Sequence, residues 1–352
     1  FATQGDEHLD AQRLRELLAR VDCELLPFDH AHKLASALGL LRRIARTRPS
    51  LVVMEGTGLA GGIVLLLARL LLGVPYVVSS GDAVAPYLNR RARLAGIIGA
   101  VYERMLCRHC AGFIGWTPYL VGRALTYGAP RAITAAGWAR ESASPDARER
   151  IRAQLGVGPD TILVGIVGSL RWNASVGYTY GLELVRAAKL ISRHDVAVCV
   201  IGDGDGRERL LELAADELDG RVLLPGRVPP EAVADHLAAF DLASLPQSVD
   251  GVGSFRYSTK LSEYLAAGLP IVTGQIPAAY DLDRGFIWRL PGEEPWSETY
   301  VNALASLLSS LTREQIAARA AAAAHASPVE FDRDLQQTRA AAFVADLLAD
   351  RE

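Results

Sequence analysis

The sequence predicts an α/β protein with two doubly wound parallel-sheet domains that face a cleft. The chain has 352 residues, more than one core usually supports, so two domains are expected. Short apolar runs alternate with longer helical patterns from end to end, as in parallel sheets with crossover helices. Near residue 142 this pattern breaks, and a β-rich run restarts it at Thr161. In such folds, ligands bind at the carboxyl ends of the strands.

The first predicted domain covers residues 1–142. Its opening residues are typical of the end of a strand followed by a turn at Gly5, so we expect the first strand to begin before residue 1. The predicted strands are 23–27, 51–54, 76–79 and 112–115, and the predicted helices lie near 9–21, 31–47, 58–72 and 88–109. The segment 58–74 is the most apolar, but it contains Arg69 and is short for a bilayer crossing. We therefore interpret it as a buried helix.

The second predicted domain covers residues 143–328. It opens with a capping serine and Pro145, which begin a helix that ends near residue 155. The predicted strands are 161–167, 196–201, 221–224, 242–245 and 270–273, and the predicted helices lie near 181–193, 206–218, 230–239, 258–267 and 312–325. A last helix, within residues 329–352, is expected to pack back on the first domain.

Composition and charge exclude several classes of protein. Half of the residues are apolar and 22% are charged, which excludes a disordered chain. A net charge of -3 argues against a nucleic-acid partner. Residues 1–141 nevertheless carry 17 Lys and Arg against 11 Asp and Glu, whereas the remainder carries 20 against 29. This basic half suggests an anionic surface or acceptor. The four cysteines are too few for a disulfide framework and indicate the cytoplasm, and a single C-x-x-C pair predicts no metal site.

Two glycine-rich segments follow predicted strands of the second domain. They are Gly168-Ser169-Leu170-Arg171 and Gly202-Asp203-Gly204-Asp205-Gly206. Glycines at this place let the backbone approach a ligand, and the next helix amino-terminus favours an anion such as diphosphate. Neither segment has the G-x-G-x-x-G spacing of a dinucleotide site, and the chain contains no P-loop. Tight strand-to-helix turns are the alternative interpretation.

The segment 255–272 is the most informative part of the sequence. Arg256 and Lys260 lie at a helix amino-terminus, where cations oppose the helix dipole. A bound polyanion explains them better than helix stability does. Glu263 lies about one turn further on the same face, where its carboxylate could accept hydrogen bonds from a ribose diol. A surface salt-bridge face is the alternative.

These residues carry a resemblance to a known family. The block Ser-Thr-Lys-Leu-x-Glu-Tyr-Leu-Ala-Ala-Gly-x-Pro-Ile-Val at 258–272 resembles the family 4, or group 1, glycosyltransferases, which are retaining enzymes of GT-B fold that use nucleotide-sugar donors. The order of the other segments fits as well: Gly168-Ser169-Leu170, Val200-Ile201-Gly202-Asp203-Gly204, Leu224-Pro225-Gly226-Arg227-Val228-Pro229 and Ala239-Phe240-Asp241-Leu242. The resemblance spans about residues 160–273, and the first domain matches loosely.

The resemblance implies a donor site in residues 143–328 and an acceptor site in residues 1–142. It implies that Glu263 contacts the donor ribose and that Arg171 and Lys260 hold the diphosphate as catalytic groups. The other donor-binding residues that it implies are Gly168, Ser169, Gly202, Asp203, Gly204, Arg227, Arg256, Ser258 and Thr259.

In the first domain, Gly5 and His8 occupy positions where the family often has a glycine loop and a helix-borne histidine. The turn that ends in Asp82 replaces a His-Gly-x-Asp segment that touches the sugar in many members. A polar catalytic contact would then fall to Ser80 or Asp82. A solvated His8 and a plain turn are the alternatives.

The resemblance also implies a mechanism. Retaining transfer proceeds by front-face displacement, in which the leaving diphosphate accepts the proton of the acceptor, so neither a protein nucleophile nor a metal or cofactor is needed. The expected acceptor is a glycan, a lipid-linked molecule or a small molecule, as in polysaccharide biosynthesis. Two positions depart from the family pattern: Phe255 stands where a glutamate is common, and Tyr180-Gly181 stands where many members have Lys-Gly. These departures leave undetermined which sugar is transferred and which residues hold the diphosphate.

A basic stretch in the first domain suggests a membrane partner. Arginines are interleaved with apolar residues along the predicted helix, at positions 90, 91, 93, 104 and 108. Contact with anionic lipid at the inner face of the membrane or with a phosphate-linked acceptor is one interpretation, and a solvated face is the other.

Two other functions remain open at this point. A nucleotide-sugar 2-epimerase of the same fold would place more acid and base groups in its cleft, and this second domain has few histidines. A non-catalytic two-domain sugar-binding protein would carry an export signal, and it would lack the cation cluster.

Overall fold

The computed structural model describes residues 1–5, 9–139, 142–215 and 220–350, without the side chains of 327–330. It has two compact units. Unit 1 comprises Phe1–Gly137, Phe255–Tyr257 and Asp332–Glu352, and unit 2 comprises Trp138–Ser254 and Ser258–Phe331. Each unit contains a parallel sheet, so the expected pair of α/β domains is confirmed. The segment Phe255–Tyr257, which the sequence analysis placed in the second domain, groups with unit 1.

Unit 1 is built on a four-stranded parallel sheet in the order β1-β2-β3-β4. The strands are β1 (Val52–Glu55), β2 (Tyr76–Ser80), β3 (Gly112–Gly115) and β4 (Ala132–Thr134), and Ala2 forms a single parallel bridge with Glu55. The helices are α1 (Leu9–Leu17), α2 (Lys33–Thr47), α3 (Leu59–Leu72), α4 (Val84–Asn89), α5 (Arg93–His109) and α6 (Pro118–Thr126). Because the strands pair in chain order and crossovers are right-handed, α3, α5 and α6 cover the same face of the sheet.

The predicted strand at 23–27 is wrong, because these residues have no regular structure. Cys23 and Glu24 are exposed, whereas Leu25 and Leu26 pack against the core with their side chains alone. Pro27 has no N–H for a sheet ladder. The apolar residues that suggested a strand therefore pack against the core without forming a strand.

The predicted helix at 88–109 is divided into α4 and α5 by extended backbone at Ala92. Two glycines let α5 pack closely on α4: a Cβ at Gly96 would lie 2.5 Å from Asn89, and one at Gly99 would lie 3.1 Å from the backbone of Ala85. This close contact between the two helices explains the break.

Unit 2 is built on a six-stranded parallel sheet in the order β10-β9-β8-β5-β6-β7. Its strands are β5 (Ile162–Val167), β6 (Val196–Ile201), β7 (Val222–Gly226), β8 (Leu242–Leu245), β9 (Ile271–Thr273) and β10 (Ile287–Arg289). Its helices are α7 (Ala147–Gln154), α8 (Leu182–Lys189), α9 (Arg207–Ala214), α10 (Val233–Ala238), α11 (Thr259–Ala266), α12 (Ala278–Asp281), α13 (Glu298–Ser310) and α14 (Arg313–Glu330). The strand order reverses between β5 and β8, which places a ligand crevice at the carboxyl ends of these two strands.

The last helix, α15 (Arg333–Ala349), belongs to unit 1. Gln337 donates a hydrogen bond to the carbonyl oxygen of Glu16 at 2.8 Å, and the side chain of Gln336 accepts one from Ala136 N at 3.1 Å. Phe343 fills the space that a side chain at Gly112 would need. Over the described ranges, no helix is both long and apolar enough to cross a membrane.

Candidate active site

The carboxyl edge of the unit 2 sheet brings Gly168 and Lys260 together. Gly168 follows β5 directly, and Lys260 is the second residue of α11. A Cβ at Gly168 would lie 3.1 Å from Cε of Lys260 and 3.0 Å from the ring of Tyr180. The Lys260 ammonium lies 4.2 Å from the centre of that ring. Glycine at 168 therefore makes room for the ammonium at the end of β5.

The Lys260 ammonium forms no ion pair with any residue that the structure describes. Its contact with Tyr180 is a cation–π interaction, which attracts the charge without neutralising it. An ammonium offers three hydrogen-bond donors and no acceptor. This position is thus suited to an anionic ligand.

The glycines at 202 and 204 are explained by packing between two loops. Both have positive φ, +150° and +153°. A Cβ at Gly202 would lie 1.8 Å from the carbonyl oxygen of Gly168, and one at Gly204 would lie 2.6 Å from the backbone of Leu170. Hydrogen bonds join the loops: Leu170 N donates to Asp203 O at 3.0 Å, and Gly206 N donates to Leu170 O at 2.8 Å. The predicted ligand contacts of Gly202, Asp203 and Gly204 stay predictions beside this structural role.

The loop arginines are open to solvent. Arg171 follows the loop after β5, and Arg227 directly follows β7. Both side chains are exposed and form no hydrogen bond or ion pair among the described residues. Ser169 lies between Gly168 and Arg171 and is exposed as well. Because parallel strands end at the same edge of the sheet, these cations lie on the edge that also carries Lys260.

Helix α11 carries three further predicted residues. Ser258 is its N-cap, and the Ser258 side chain makes no capping hydrogen bond. Thr259 is exposed, and Glu263 lies half-buried one turn after Lys260. The helix is fixed to the sheet by Tyr264, whose buried hydroxyl donates to the carbonyl oxygen of Ser244 at 3.0 Å. The first turn of α11 is therefore held at the switch between β5 and β8.

A buried carboxylate lies three residues after Tyr180, and the sequence analysis missed it. Glu183 on α8 accepts hydrogen bonds from the hydroxyls of Tyr178 at 2.8 Å and Ser244 at 2.9 Å. Tyr178 packs edge-on against Tyr180, with ring centres 6.3 Å apart. Burial raises the pKa of Glu183 to about 6, although the two hydroxyls oppose this rise. Its place between Leu182 and Leu184 gave no sequence signal.

In unit 1, the structure pairs two predicted residues with each other. Nε of Arg256 lies 3.1 Å from Oδ1 of Asp82. The hydroxyl of Ser80 donates to the carbonyl oxygen of Asp82 at 2.8 Å, and Tyr257 N donates to Gly81 O at 3.0 Å. The segment Phe255–Tyr257 is thereby attached to the turn after β2. Arg256, predicted as a donor residue, thus contacts the residue predicted for sugar contact. Both side chains are largely exposed, so their attraction is weak.

A buried ion pair at the end of β1 was also missed. The guanidinium of Arg13 lies 3.2 Å from Oε2 of Glu55 and donates to the carbonyl oxygen of Ala135 at 2.7 Å. Trp116 Nε1 donates to Glu55 Oε1 at 3.0 Å, and its ring stacks under the guanidinium at 3.5 Å. Burial raises the pKa of Glu55, while Arg13 opposes the rise. The cluster joins α1 to the ends of β1 and β3.

Two family models match this chain. Residues 161–310 match the one described as "Glycosyl transferases group 1", and residues 2–135 match the one described as "Glycosyl transferase 4-like domain". The chain is a group 1, family 4 glycosyltransferase. The resemblance seen in the sequence is therefore confirmed. No curated protein sequence is significantly similar to this glycosyltransferase.

Solved structures share the fold of the glycosyltransferase. HepE of Anabaena, in complex with UDP-glucose, has a TM-score of 0.70 at 18% identity, over 95% of this chain and 88% of that chain. Sucrose-phosphate synthase of Thermosynechococcus elongatus has a TM-score of 0.70 at 14% identity, over 94% and 82%. WaaG, a glycosyltransferase involved in lipopolysaccharide biosynthesis, has a TM-score of 0.63 at 17% identity, over 94% of both chains. The fold of the glycosyltransferase is GT-B.

Two other expectations concern the amino-terminal loop and metals. His8 lies outside the described residues of the glycosyltransferase. Gly5 has a φ of +106°, which suits the predicted turn. Among the described residues, no group of three or more His, Cys, Asp or Glu could hold a metal ion.

Proposed function

We propose that this glycosyltransferase moves a hexose from a nucleotide-diphosphate sugar to a glycan, a lipid-linked molecule or a small-molecule acceptor, with retention of the anomeric configuration. One observation carries the proposal. The Lys260 ammonium lies against Gly168 at the end of β5, without a carboxylate partner among the described residues. A diphosphate at this place would supply the missing counter-charge. The UDP-glucose bound to HepE supports a donor of this class.

In the proposed reaction, the bond between the sugar and the diphosphate breaks as the acceptor oxygen approaches from the same face. The diphosphate accepts the proton of the acceptor, so no protein nucleophile is required. Negative charge grows on the leaving diphosphate, and Lys260, Arg171 and the open first turn of α11 stabilise it. A preorganised donor of this kind contributes about 2.7 to 4 kcal/mol to the transition state.

Other residues bind and orient the substrates. Glu263 accepts hydrogen bonds from the ribose, because its carboxylate follows Lys260 by one turn. Ser169, Arg227, Ser258 and Thr259 supply polar contacts to the nucleotide around them. Asp82 contacts the transferred sugar, and its ion pair with Arg256 orients the carboxylate. The involvement of WaaG in lipopolysaccharide biosynthesis supports an acceptor of polysaccharide biosynthesis. We place the reaction in the cytoplasm, with unit 1 at the inner face of the membrane.

The proposal predicts that Glu263→Ala weakens nucleotide binding. Losing a charged hydrogen-bond partner of the ribose should raise the Kd about 10- to 100-fold. Isothermal titration calorimetry with UDP, GDP and ADP measures this change. Glu212→Ala, an exposed carboxylate on α9, is the matched control and should leave the Kd unchanged. An unchanged Kd for every nucleotide that the wild type binds would refute the assignment.

Epimerisation of a nucleotide sugar without an acceptor would instead support the 2-epimerase alternative.

A further inference from the structure

Two neighbouring helices of unit 1 expose a continuous row of apolar side chains. On α3 these residues are Leu59, Ile63, Leu67, Leu70 and Leu71. On α5 they are Leu94, Ile97, Ile98, Val101 and Met105. Their spacing of three or four residues places each set on one side of its helix. Leu71 is 74% exposed and Leu94 is 68% exposed. The prediction that the segment 58–72 is a buried helix is thus wrong for this side of α3.

These rows belong to one helical layer. Helices α3 and α5 pack against each other, and Tyr102 of α5 donates hydrogen bonds to the carbonyl oxygens of Thr57 and Gly58. Helix α2 packs against α3 and adds exposed Leu34 and Leu38. We call the exposed side of α2, α3 and α5 the apolar layer. Of 19 large apolar residues that are exposed in the described chain, 12 lie on these three helices. Such concentration is typical of an interaction surface.

The exposed charged side chains on these three helices have one sign. Exposed arginines lie on α2 at positions 42 and 46, on α3 at position 69, and on α5 at positions 93, 104 and 108. The only carboxylate on the three helices, Glu103, is buried and pairs with Arg123. On α5, helix geometry places Arg93 and Arg104 at one edge of the exposed side and Ile98 and Met105 at the other. A surface of apolar side chains bordered by arginines, with no exposed carboxylate on its helices, is complementary to anionic lipid.

We propose that the apolar layer lies on an anionic membrane, with the apolar side chains of α3 and α5 inserted between lipid headgroups and acyl chains. The arginines then lie at the level of the lipid phosphates. A second copy of this chain fits less well, because a symmetric contact would bring the same arginines together. The inference deepens the proposed function and rests on it for an acceptor at the membrane.

The layer predicts two separable contributions to lipid binding. The arginines contribute an attraction that salt screens, about fivefold in affinity for each residue near the surface. The inserted leucine and isoleucine side chains contribute a part that salt does not screen, about tenfold or more for each. Binding should therefore weaken in high salt but persist.

Sedimentation with vesicles tests the proposal. The vesicles contain equal parts of phosphatidylcholine and phosphatidylglycerol, and pure phosphatidylcholine vesicles serve for comparison. The double variant Ile63→Glu with Leu67→Glu should lose the salt-resistant binding, by about 100-fold or more in affinity. Leu190→Glu with Leu211→Glu, two exposed leucines of unit 2, is the matched control and should bind as the wild type does. Arg93→Ser with Arg104→Ser should reduce the preference for anionic vesicles.

Three results would overturn the proposal. The first is a wild-type protein that does not sediment with anionic vesicles. The second is equal sedimentation of the wild type and the Ile63/Leu67 variant at low salt and at high salt. The third is a wild-type dimer in sedimentation velocity that the same variant converts to a monomer, which would make the layer an interface between copies. The UDP, GDP and ADP affinities of each variant, compared with those of the wild type, report on folding. If the wild type itself binds no nucleotide while the vesicle results hold, the proposed function fails and the membrane surface stands.

Discussion

At the scale of single residues, the Lys260 ammonium lies against an aromatic ring. A carboxylate at the same place would neutralise its charge. The ring of Tyr180 stands where the resemblance leads one to expect a lysine, so the chain has one cation fewer near Gly168. A cation–π contact positions an ammonium and leaves its charge available. Tyr180 is therefore a positioning residue for Lys260.

Lys260→Ala should lower the turnover number more than it raises the donor Kd, because the charge of the leaving diphosphate grows in the transition state. The expected loss in kcat is about 100- to 1,000-fold. Initial rates and calorimetry with the same donor separate the two effects. Tyr180→Phe should retain most activity and Tyr180→Leu should not, since only phenylalanine keeps the aromatic face. Equal losses in donor affinity and in rate constant would contradict the prediction, because they would show that Lys260 stabilises the bound donor and the transition state equally.

At the scale of elements, α8 and β8 are joined through Glu183. Its carboxylate accepts hydrogen bonds from Tyr178, just before α8, and from Ser244 in β8. Tyr264 connects α11 to the same strand through the carbonyl oxygen of Ser244. The Tyr178 ring, which packs against the Tyr180 ring, and the helix that carries Lys260 are thus both connected to Ser244 of β8.

This buried carboxylate predicts a pH dependence of stability. The pKa of Glu183 is about 6 in the folded protein and ordinarily 4.5, so the native state binds more protons between these values. Its contribution to the free energy of unfolding is complete below pH 4.5 and is lost as the pH rises through 6, by about 2 kcal/mol. Thermal melting of the wild type and Glu183→Gln, from pH 4.5 to 7.5, measures the difference. A constant gap between the two melting curves would contradict this prediction.

At the scale of the whole molecule, each unit has its own chemical character. Unit 1 carries the buried Arg13–Glu55 pair and the apolar layer, and unit 2 carries Lys260 with the loop arginines. The proposed reaction stabilises the leaving diphosphate with protein cations and helix amides alone. It needs no divalent cation to do so.

Glycosyl transfer should therefore persist in an excess of chelator. Assays with ethylenediaminetetraacetate, before and after dialysis, measure the rate under the same donor concentration. The expected rate is unchanged, because in the proposed reaction Lys260 and Arg171 supply the charge that a metal would supply in other enzymes. An enzyme that chelation inactivates and Mn or Mg restores would refute the metal-independent mechanism.

The amino-acid sequence by itself determined the two-domain α/β organisation, most strands, and the turn and helix segments that identify the family. These features are local: strand runs, glycine turns and the 258–272 block depend on neighbouring residues. Boundaries set by packing were harder to predict, since the break between α4 and α5 depends on glycines that contact another helix.

Only the tertiary structure decided which distant residues meet. Arg13 and Glu55 are 42 positions apart, and Arg256 and Asp82 are further apart still. The hydrophobic periodicity of a sequence does not indicate which distant residues form such pairs. The exposed side of α3 was equally hidden, because a helix that is apolar on nearly all sides offers no polar contrast to mark its uncovered face. That face exists because the sheet and the neighbouring helices cover only part of α3, and this coverage is a property of the fold.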